Sequence, residues 1–299
     1  MIDRNRIFVS AALVVLSAAT VAAQTSSSPK APSDVSAGTV PEPSAGNDHL
    51  NAILWHQSSA EFEATSRTAF AMARIALDQA LRDKSRSALP GQKGDLASLP
   101  PAIITDVDET VLDNGPFQGT LMKEQPARPA QAWSEWVEKA VAKPIPGAVE
   151  FIRYAQDKGV TIFFITNRNS EKEAATRKNL ADIGVKFPAD FDTVFLDRER
   201  PEWRGDKALR RAAAATTHRI VLLLGDDFGD FTSSYNKPTG ERRAVATAEA
   251  ARWGRDWIMI ANPIYGSWEN SINNFNFRLP PAERRQMKWD AVRTVGSSQ

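Results

Sequence analysis

Two short acidic runs and one lysine carry the chemistry that this sequence could perform. Asp106-Val107-Asp108 places two carboxylates at i and i+2, where an apolar run ends. On a turn leaving a strand, one such side chain can enter a crevice while the other stands beside it. One can then attack phosphorus and the other move a proton. Like charges oppose the approach of a carboxylate to a phosphate dianion, so this chemistry requires a divalent cation and a positive side chain on the phosphoryl oxygens. The second run, Gly225-Asp226-Asp227-Phe228-Gly229-Asp230, can supply oxygen ligands. Asp226, with Asp227 or Asp230 nearby, suits Mg²⁺, a hard cation that needs only a few carboxylates and keeps several waters. Lys207 offers the positive charge, and Thr166, in Thr166-Asn167-Arg168, a hydroxyl donor.

Each feature alone has an ordinary reading. A DxD is commonly a turn or a helix cap, a lone lysine is usually solvated, and Thr166 could cap the following helix. Their order along the chain carries the argument. Ala102–Thr105, Thr161–Ile165, Thr193–Leu196, Ile220–Leu224 and Trp257–Ala261 are short apolar runs without polar alternation, the pattern of strands buried on both faces. Helical patterns fall between them near 147–158, 170–183, 206–215 and 241–253, and Ser170 with Glu173 reads as a capping box. This alternation predicts an α/β fold whose parallel sheet is covered by helices on both faces. Such sheets bind ligands at the carboxyl ends of their strands. Asp106 follows the first run, Thr166 the second and Asp226 the fourth, while Lys207 opens the helix between the third and fourth. An EF-hand calcium loop is excluded for DVDETVLDN, because Val111 stands where that loop needs glycine and Phe117 where it needs glutamate.

Composition bounds the reading further. With 299 residues, 42% of them hydrophobic, the chain can bury a core, and 37 basic against 36 acidic residues leave no excess charge for a nucleic-acid polymer. The absence of cysteine removes disulfides, thiolate metal sites and cysteine nucleophiles. Residues 1–23 read as an export signal, with Arg4 and Arg6 before the apolar run 7–16 and Val21-Ala22-Ala23 after it. That run is too short for a comfortable span, which argues against a retained anchor or stable membrane insertion. Residues 24–46, rich in Ser, Pro, Ala and Gly, read as a flexible linker. Beyond Asn47, Phe62, Ala69, Phe70, Ala73, Leu77 and Leu81 mark one face of a long helix ending near Lys84.

DVDETVLDN, ITNR, the helix-opening Lys207 and GDDFGDF together resemble the four motifs of the haloacid dehalogenase superfamily. More narrowly, the chain is similar to the class C non-specific acid phosphatases, whose four signature aspartates lie two in the first motif and two in the last. The similarity runs over nearly all of residues 48–290, including WHQSSAEF, AWSEWVEKAVAKPIPGAVEFI and NPIYGSWE. It implies a phosphatase domain over 47–293, before a tail at 294–299. Within it would lie a Rossmannoid core at about 100–113 and 144–265, and a smaller, mainly helical lid from 47–90, 114–143 and the C-terminal segment. By position, the resemblance makes Asp106 the nucleophile that forms a phosphoaspartate and Asp108 the general acid and base, with Thr166, Asn167 and Lys207 on the phosphoryl group. Asp106, Asp108 through its backbone carbonyl, and Asp226 would hold Mg²⁺, with Asp230 in support. Trp133 and Tyr265 match aromatic positions that contact the substrate's organic group. Lipoprotein members of the family carry a cysteine at the signal cleavage site, and none stands here. The expectation is therefore a soluble periplasmic or secreted enzyme.

No core strand is expected between Asn114 and Lys143. Trp133 and Trp136 sit three apart, where one helical face can bury both; the other reading is a lid that chooses the leaving group and excludes water. Trp268 is assigned to packing. The expected activity is exported, Mg²⁺-dependent hydrolysis of small phosphomonoesters, nucleoside 5′-monophosphates among them, with a homodimer left open. Two rivals stand beside it: a phosphotransferase of the same fold that delivers the phosphoryl group to an alcohol, and a non-catalytic surface binding protein. A catalytically dead relative is expected to lack Asp106 or Asp108, and both are present.

Overall fold

The computed structural model describes residues 48–295, so the expected signal, the linker and the last residues of the tail lie outside the described residues. From the amino-terminal side come helices Leu50–Ser58 (α1) and Ala60–Arg82 (α2), strands Pro101–Thr105 (β1) and Leu112–Asp113 (β2), helices Gly115–Glu124 (α3) and Pro129–Lys139 (α4), and strand Lys143–Pro144 (β3). Helix Ala148–Asp157 (α5), strand Thr161–Asn169 (β4), helix Glu173–Asp182 (α6), strand Val194–Asp197 (β5), helix Ala208–Ala215 (α7) and strand Arg219–Gly225 (β6) follow. Helix Thr239–Ala248 (α8), strand Trp257–Met259 (β7) and helices Ser267–Asn270 (α9) and Pro281–Asp290 (α10) complete the order.

β1 is the centre of a five-stranded sheet of order β5-β4-β1-β6-β7 in which every pairing is parallel. The chain runs outward from β1 through β4 to β5, then crosses to β6 on the other side. That reversal makes the carboxyl ends of β1 and β6 the switch point where an α/β sheet opens a crevice. The register sets Thr105 beside Leu224, so the residues after both strands emerge together. Alternate residues of β1 feed two cores. Ile103 packs with Phe70, Ala73 and Leu77 of α2 and Phe151 of α5 on one face, while Ala102 and Ile104 join Trp203, Ala214 of α7 and Trp257 on the other.

Two local expectations are corrected. The N-terminal pattern is two helices, because Ser59 takes an extended backbone (φ −84°, ψ 143°) and its hydroxyl accepts from Phe62 N at 3.0 Å, capping α2. The apolar face predicted from Phe62, Phe70, Ala73 and Leu77 is buried on α2. At Ser170 and Glu173 no capping box forms. β4 continues past Ile165 to Asn169, residues 170–172 make a 3₁₀ turn, and α6 begins after Lys172 without a side-chain cap.

The stretch between β2 and β3 leaves and returns through an antiparallel ribbon, Leu112 opposite Pro144 and Asp113 opposite Lys143, and carries α3 and α4 as an insert. α1 packs on its beginning: His56 Nε2 pairs with Asp113 Oδ1 at 2.8 Å, and Gln57 Nε2 donates to Gly115 O at 2.6 Å. Trp136 Nε1 of α4 donates to Asn114 Oδ1 at 2.7 Å. Arg285 of α10 donates to Asp48 at 2.9 Å, which returns the C-terminal helix to the start of α1. Among the described residues, no helix is long and apolar enough to cross a membrane.

Candidate active site

Buried aliphatic side chains wind the loop after β1 into a tight turn. Val107, Val111 and Leu112 are buried, the amides of Val111 and Leu112 donate to Val107 O at 2.9 and 2.8 Å, and Glu109 N donates to Leu112 O at 2.8 Å. Asp106 N donates to Leu224 O at 3.0 Å, which ties this turn to β6. Asp106 itself is 7% exposed. Lys207, the cap residue of α7, donates through Nζ to Asp106 Oδ1 and, at 2.6 Å, to Asp230 Oδ1.

Asp230 is set by a 3₁₀ turn over Phe228–Asp230 that forms a reciprocal capping box. Asp227 Oδ1 accepts from Gly229 N at 2.7 Å, and Asp230 Oδ2 from Asp227 N at 2.9 Å. Glycine is required at 225, since a Cβ there would run into the Asp230 side chain. Asp226 accepts from Thr110 Oγ1 at 3.1 Å and from Asn262 Nδ2 at 2.8 Å. Asp106, Asp226 and Asp230 each bring a carboxylate oxygen within 4.8 Å of the others. Of the two expected neighbours of Asp226, Asp230 joins this cluster; Asp227 instead holds the Ser267 amide and, at 2.7 Å, its hydroxyl.

Asp108 has different partners. Arg168 Nε donates to both of its oxygens at 3.1 Å and Nη2 to Oδ1 at 2.7 Å, while Asn114 Nδ2 reaches Oδ1 at 2.9 Å. Thr166 is fully buried, its hydroxyl donating to Asp108 Oδ2 at 3.3 Å and accepting from Arg168 N at 3.1 Å. The Asn167 amide is engaged at both ends, Oδ1 by Arg210 and Nδ2 with Gly205 O at 3.0 Å. The Thr166 hydroxyl is thus directed into the protein, the exposed Asn167 side chain is engaged by its neighbours at the edge of the site, and Lys207 is the cation on Asp106.

A cavity of about 310 Å³ lies over this floor, lined by Asp106, Asp108, Lys207 and Asp226 and by the aromatic residues Trp133, Tyr235 and Tyr265. The insert brings Trp133 there, packed on Phe117 with centroids 5.3 Å apart and 5.7 Å from the Arg168 guanidinium. Trp136 is the packing member of the pair, stacked on Phe117 at 6.0 Å. Tyr265, on the loop after β7, donates its hydroxyl to Glu109 Oε2. Trp268, expected in the packing, is 42% exposed, because the short α9 turns Ser267 inward instead.

A family model described as HAD superfamily, subfamily IIIB (acid phosphatase), matches residues 13–268. The chain belongs to this family. The class C acid phosphatase from Bacillus anthracis is similar in structure, with a TM-score of 0.72 and 33% sequence identity over 82% of this chain and 97% of that one. A structure of the class C acid phosphatase from Bacillus anthracis with tungstate bound gives 0.71 and 32% over the same shares. The protein is accordingly a phosphomonoesterase, a hydrolase with a HAD-type α/β core.

HAD enzymes commonly use a divalent metal, and the donor set of this acid phosphatase fits one. Asp106, Asp226 and Asp230 offer only carboxylate oxygen, the donor that hard dications prefer. Burial raises all three carboxyls, Asp226 well above the usual range and Asp230 to about 7, with Lys207 pulling Asp106 and Asp230 back. Burial also works against the Lys207 charge, but Asp106 and Asp230 together lift its ammonium above the ordinary lysine range. One ammonium cannot balance three crowded carboxylates, so the site favours a cation.

Among the residues of the site to which the sequence assigned no role, Arg168, Asn262 and Glu109 each bond a predicted site residue or its neighbour. Arg168 stands inside ITNR, Asn262 opens NPIYGSWE, and Glu109 follows Asp108. Glu109 is wholly buried, and burial followed by the charge of Asp108 pushes its carboxyl up to about 8. An acidic residue directly after a DxD was the one local signal for it.

Proposed function

We propose that this acid phosphatase is an exported, Mg²⁺-dependent enzyme that hydrolyses phosphomonoesters bearing planar leaving groups, nucleoside 5′-monophosphates among them, through a phosphoaspartate on Asp106. One observation carries this reading: a buried carboxylate, Asp106, borders the cavity beside Lys207, two further carboxylates and the separately held Asp108. Lys207 orients the phosphoryl group while Asp106 attacks phosphorus. The bond from phosphorus to the leaving oxygen breaks, and the Asp108 carboxyl gives that oxygen its proton. Asp108, now a carboxylate, then takes a proton from water as the water oxygen attacks phosphorus. The bond to Asp106 breaks, releasing inorganic phosphate and restoring both side chains.

In this scheme the Arg168 pair holds the base form of Asp108, and the proton-bearing form turns from the guanidinium into the cavity that Asp108 lines. That turn frees the Thr166 hydroxyl for the phosphoryl group, and Asn167 contributes its main-chain N–H. Asp106, Asp226 and the Asp108 carbonyl, with Asp230 in support, would hold Mg²⁺, which would supply charge neutralisation at the phosphoryl oxygens. The insert, α1 and the C-terminal segment act as a lid whose Trp133, with Tyr265, contacts the leaving group. A relative that binds tungstate, a tetrahedral oxyanion, supports the phosphate reading.

The test is phosphate release over a panel of monophosphates, with and without EDTA and Mg²⁺. EDTA is expected to abolish turnover and Mg²⁺ to restore it, and Asp106→Asn to reduce it to background with folding intact. Full turnover in chelator with no metal present overturns the metal assignment; near-wild-type kcat in Asp106→Asn overturns the covalent one. Sequencing the mature N-terminus from periplasm or medium is expected to read from near Gln24.

A further inference from the structure

Glu109 performs none of the steps above, yet it is wholly buried in the loop that carries the nucleophile. Its backbone is left-handed, with φ of 56°, a conformation that residues with side chains adopt only when their surroundings impose it. Three donors from two residues hold the carboxyl. Asn114 N donates to Oε1 at 2.9 Å, Asn114 Nδ2 to Oε2 at 3.3 Å, and the Tyr265 hydroxyl to the same Oε2. The last bond crosses from the loop after β1 to the loop after β7.

Tyr265 is held at its other end as well. Asn262 Oδ1 accepts from Ile264 N at 3.0 Å and Tyr265 N at 3.5 Å, and Asn262 Nδ2 donates to Asp226 Oδ2 at 2.8 Å. The main chain of Tyr265 is therefore referred to the carboxylate after β6, and its phenol to the loop of Asp106. A tyrosine whose hydroxyl is engaged inside the protein presents its ring, not a polar group, to the cavity it lines. A ring fixed before the ligand arrives loses little freedom on binding, which favours ligands with a flat face to lay against it.

We propose that Glu109 is the positioning residue that sets leaving-group selectivity: by holding the Tyr265 phenol it fixes the aromatic wall of the cavity relative to the nucleophile loop. This rests on the reading of Tyr265 as a contact for the leaving group. Glu109 touches neither the phosphoryl group nor the leaving group; it acts through Tyr265.

The experiment compares kcat/KM for adenosine 5′-monophosphate and for glycerol 3-phosphate in the full-length enzyme, reading the ratio of the two. Tyr265→Ala removes ring and anchor, Tyr265→Phe removes the anchor alone, and Glu109→Asp withdraws the acceptor by one methylene. In Tyr265→Phe the ratio is expected to fall about three- to tenfold, the scale of one hydrogen bond, and mainly through KM for the nucleotide. Glu109→Asp should lower the ratio in the wild-type background and lower it no further in the Tyr265→Phe background, the non-additivity of two groups joined by one bond. A purely structural Glu109 predicts equal losses on both substrates in both backgrounds, and that result overturns the proposal. So does a wild-type ratio in Tyr265→Phe when Tyr265→Ala has lost selectivity; in that case Tyr265 still contacts the leaving group. If Tyr265→Ala keeps the wild-type ratio, the contact itself is wrong and the proposal falls with it. Tyr265→Phe, lacking only a hydroxyl, keeps the comparison readable should Glu109→Asp fail to fold.

Discussion

Asp106 and Asp108 are the same side chain given different partners, an ammonium on one and a guanidinium on the other. The difference matters chemically. Lys207 is a compact charge that Asp106 shares with Asp230, whereas the planar fork of Arg168 grips both Asp108 oxygens and fixes their direction. A nucleophile must keep one oxygen free to attack, and the base form of a proton carrier must be held in a defined direction for the attacking water. If Asp108 carries the proton, the damage in Asp108→Asn should follow the basicity of the leaving group. A glycerol alkoxide needs that proton to depart and p-nitrophenolate does not. The expected loss is about 10²- to 10⁴-fold in kcat for glycerol phosphate and much smaller for p-nitrophenyl phosphate. Equal losses on both esters would mean that Asp108 shapes the site without moving a proton.

At the scale of elements, one helix start organises three loops. Lys207 holds the carboxylates after β1 and β6, Arg210 reaches Thr166 O and, at 2.8 Å, Arg204 O, and Arg211 binds Gly229 O and Asp230 O at 2.8 and 3.1 Å. The turn after β6 can enter this network because residue 225 has no side chain. Gly225→Ala should push Asp230 off Lys207, at a cost of about 1–3 kcal/mol by urea unfolding, with lost turnover. Retained stability and rate would show that the turn yields more easily than its capping box implies. The same elements show what could be read in advance. The five strands and their order of function were legible because strands covered on both faces are unbroken apolar runs, as in the wholly buried β6. So was the gathering of Asp106, Lys207, Asp226 and Asp230, which follows once a parallel sheet aligns its carboxyl ends. The break at Ser59 was not, since the helical spacing runs on through α2 and only the serine's own cap bond ends the preceding helix. Nor were the commitments of Thr166, Arg168 and Glu109. Each depends on a partner brought close only by the closed fold, and in Glu109 also on a left-handed backbone that no side-chain pattern announces.

Across the whole molecule the formal charge is only +1, yet carboxylates are crowded into one buried site. This makes a prediction about stability whose sign is opposite to that of ordinary surface carboxylates. Asp230 is raised to about 7, Glu109 to about 8 and Asp226 well above its usual range, burial being the first cause for each. An acid raised in the folded state contributes its stabilisation fully below its unfolded value of about 4, and loses it as pH rises through the folded value. His218, lowered by burial, works the other way as pH falls below about 6.5, so the informative window lies above that. The metal-free enzyme should therefore become less stable to urea between about pH 6.5 and 8.5, as Asp230 and Glu109 are forced to ionise beside their neighbours. A dication that binds the ionised carboxylates should reverse the trend, by about 2.7 kcal/mol at a hundredfold excess over Kd, with the gain growing as pH rises. Unfolding midpoints at several pH values, in EDTA and in Mg²⁺, test both halves. A metal-free profile that is flat or rises across this window would show that the crowded carboxylates are already compensated within the protein, and the electrostatic argument for a cation would then fail, whatever the kinetics in chelator.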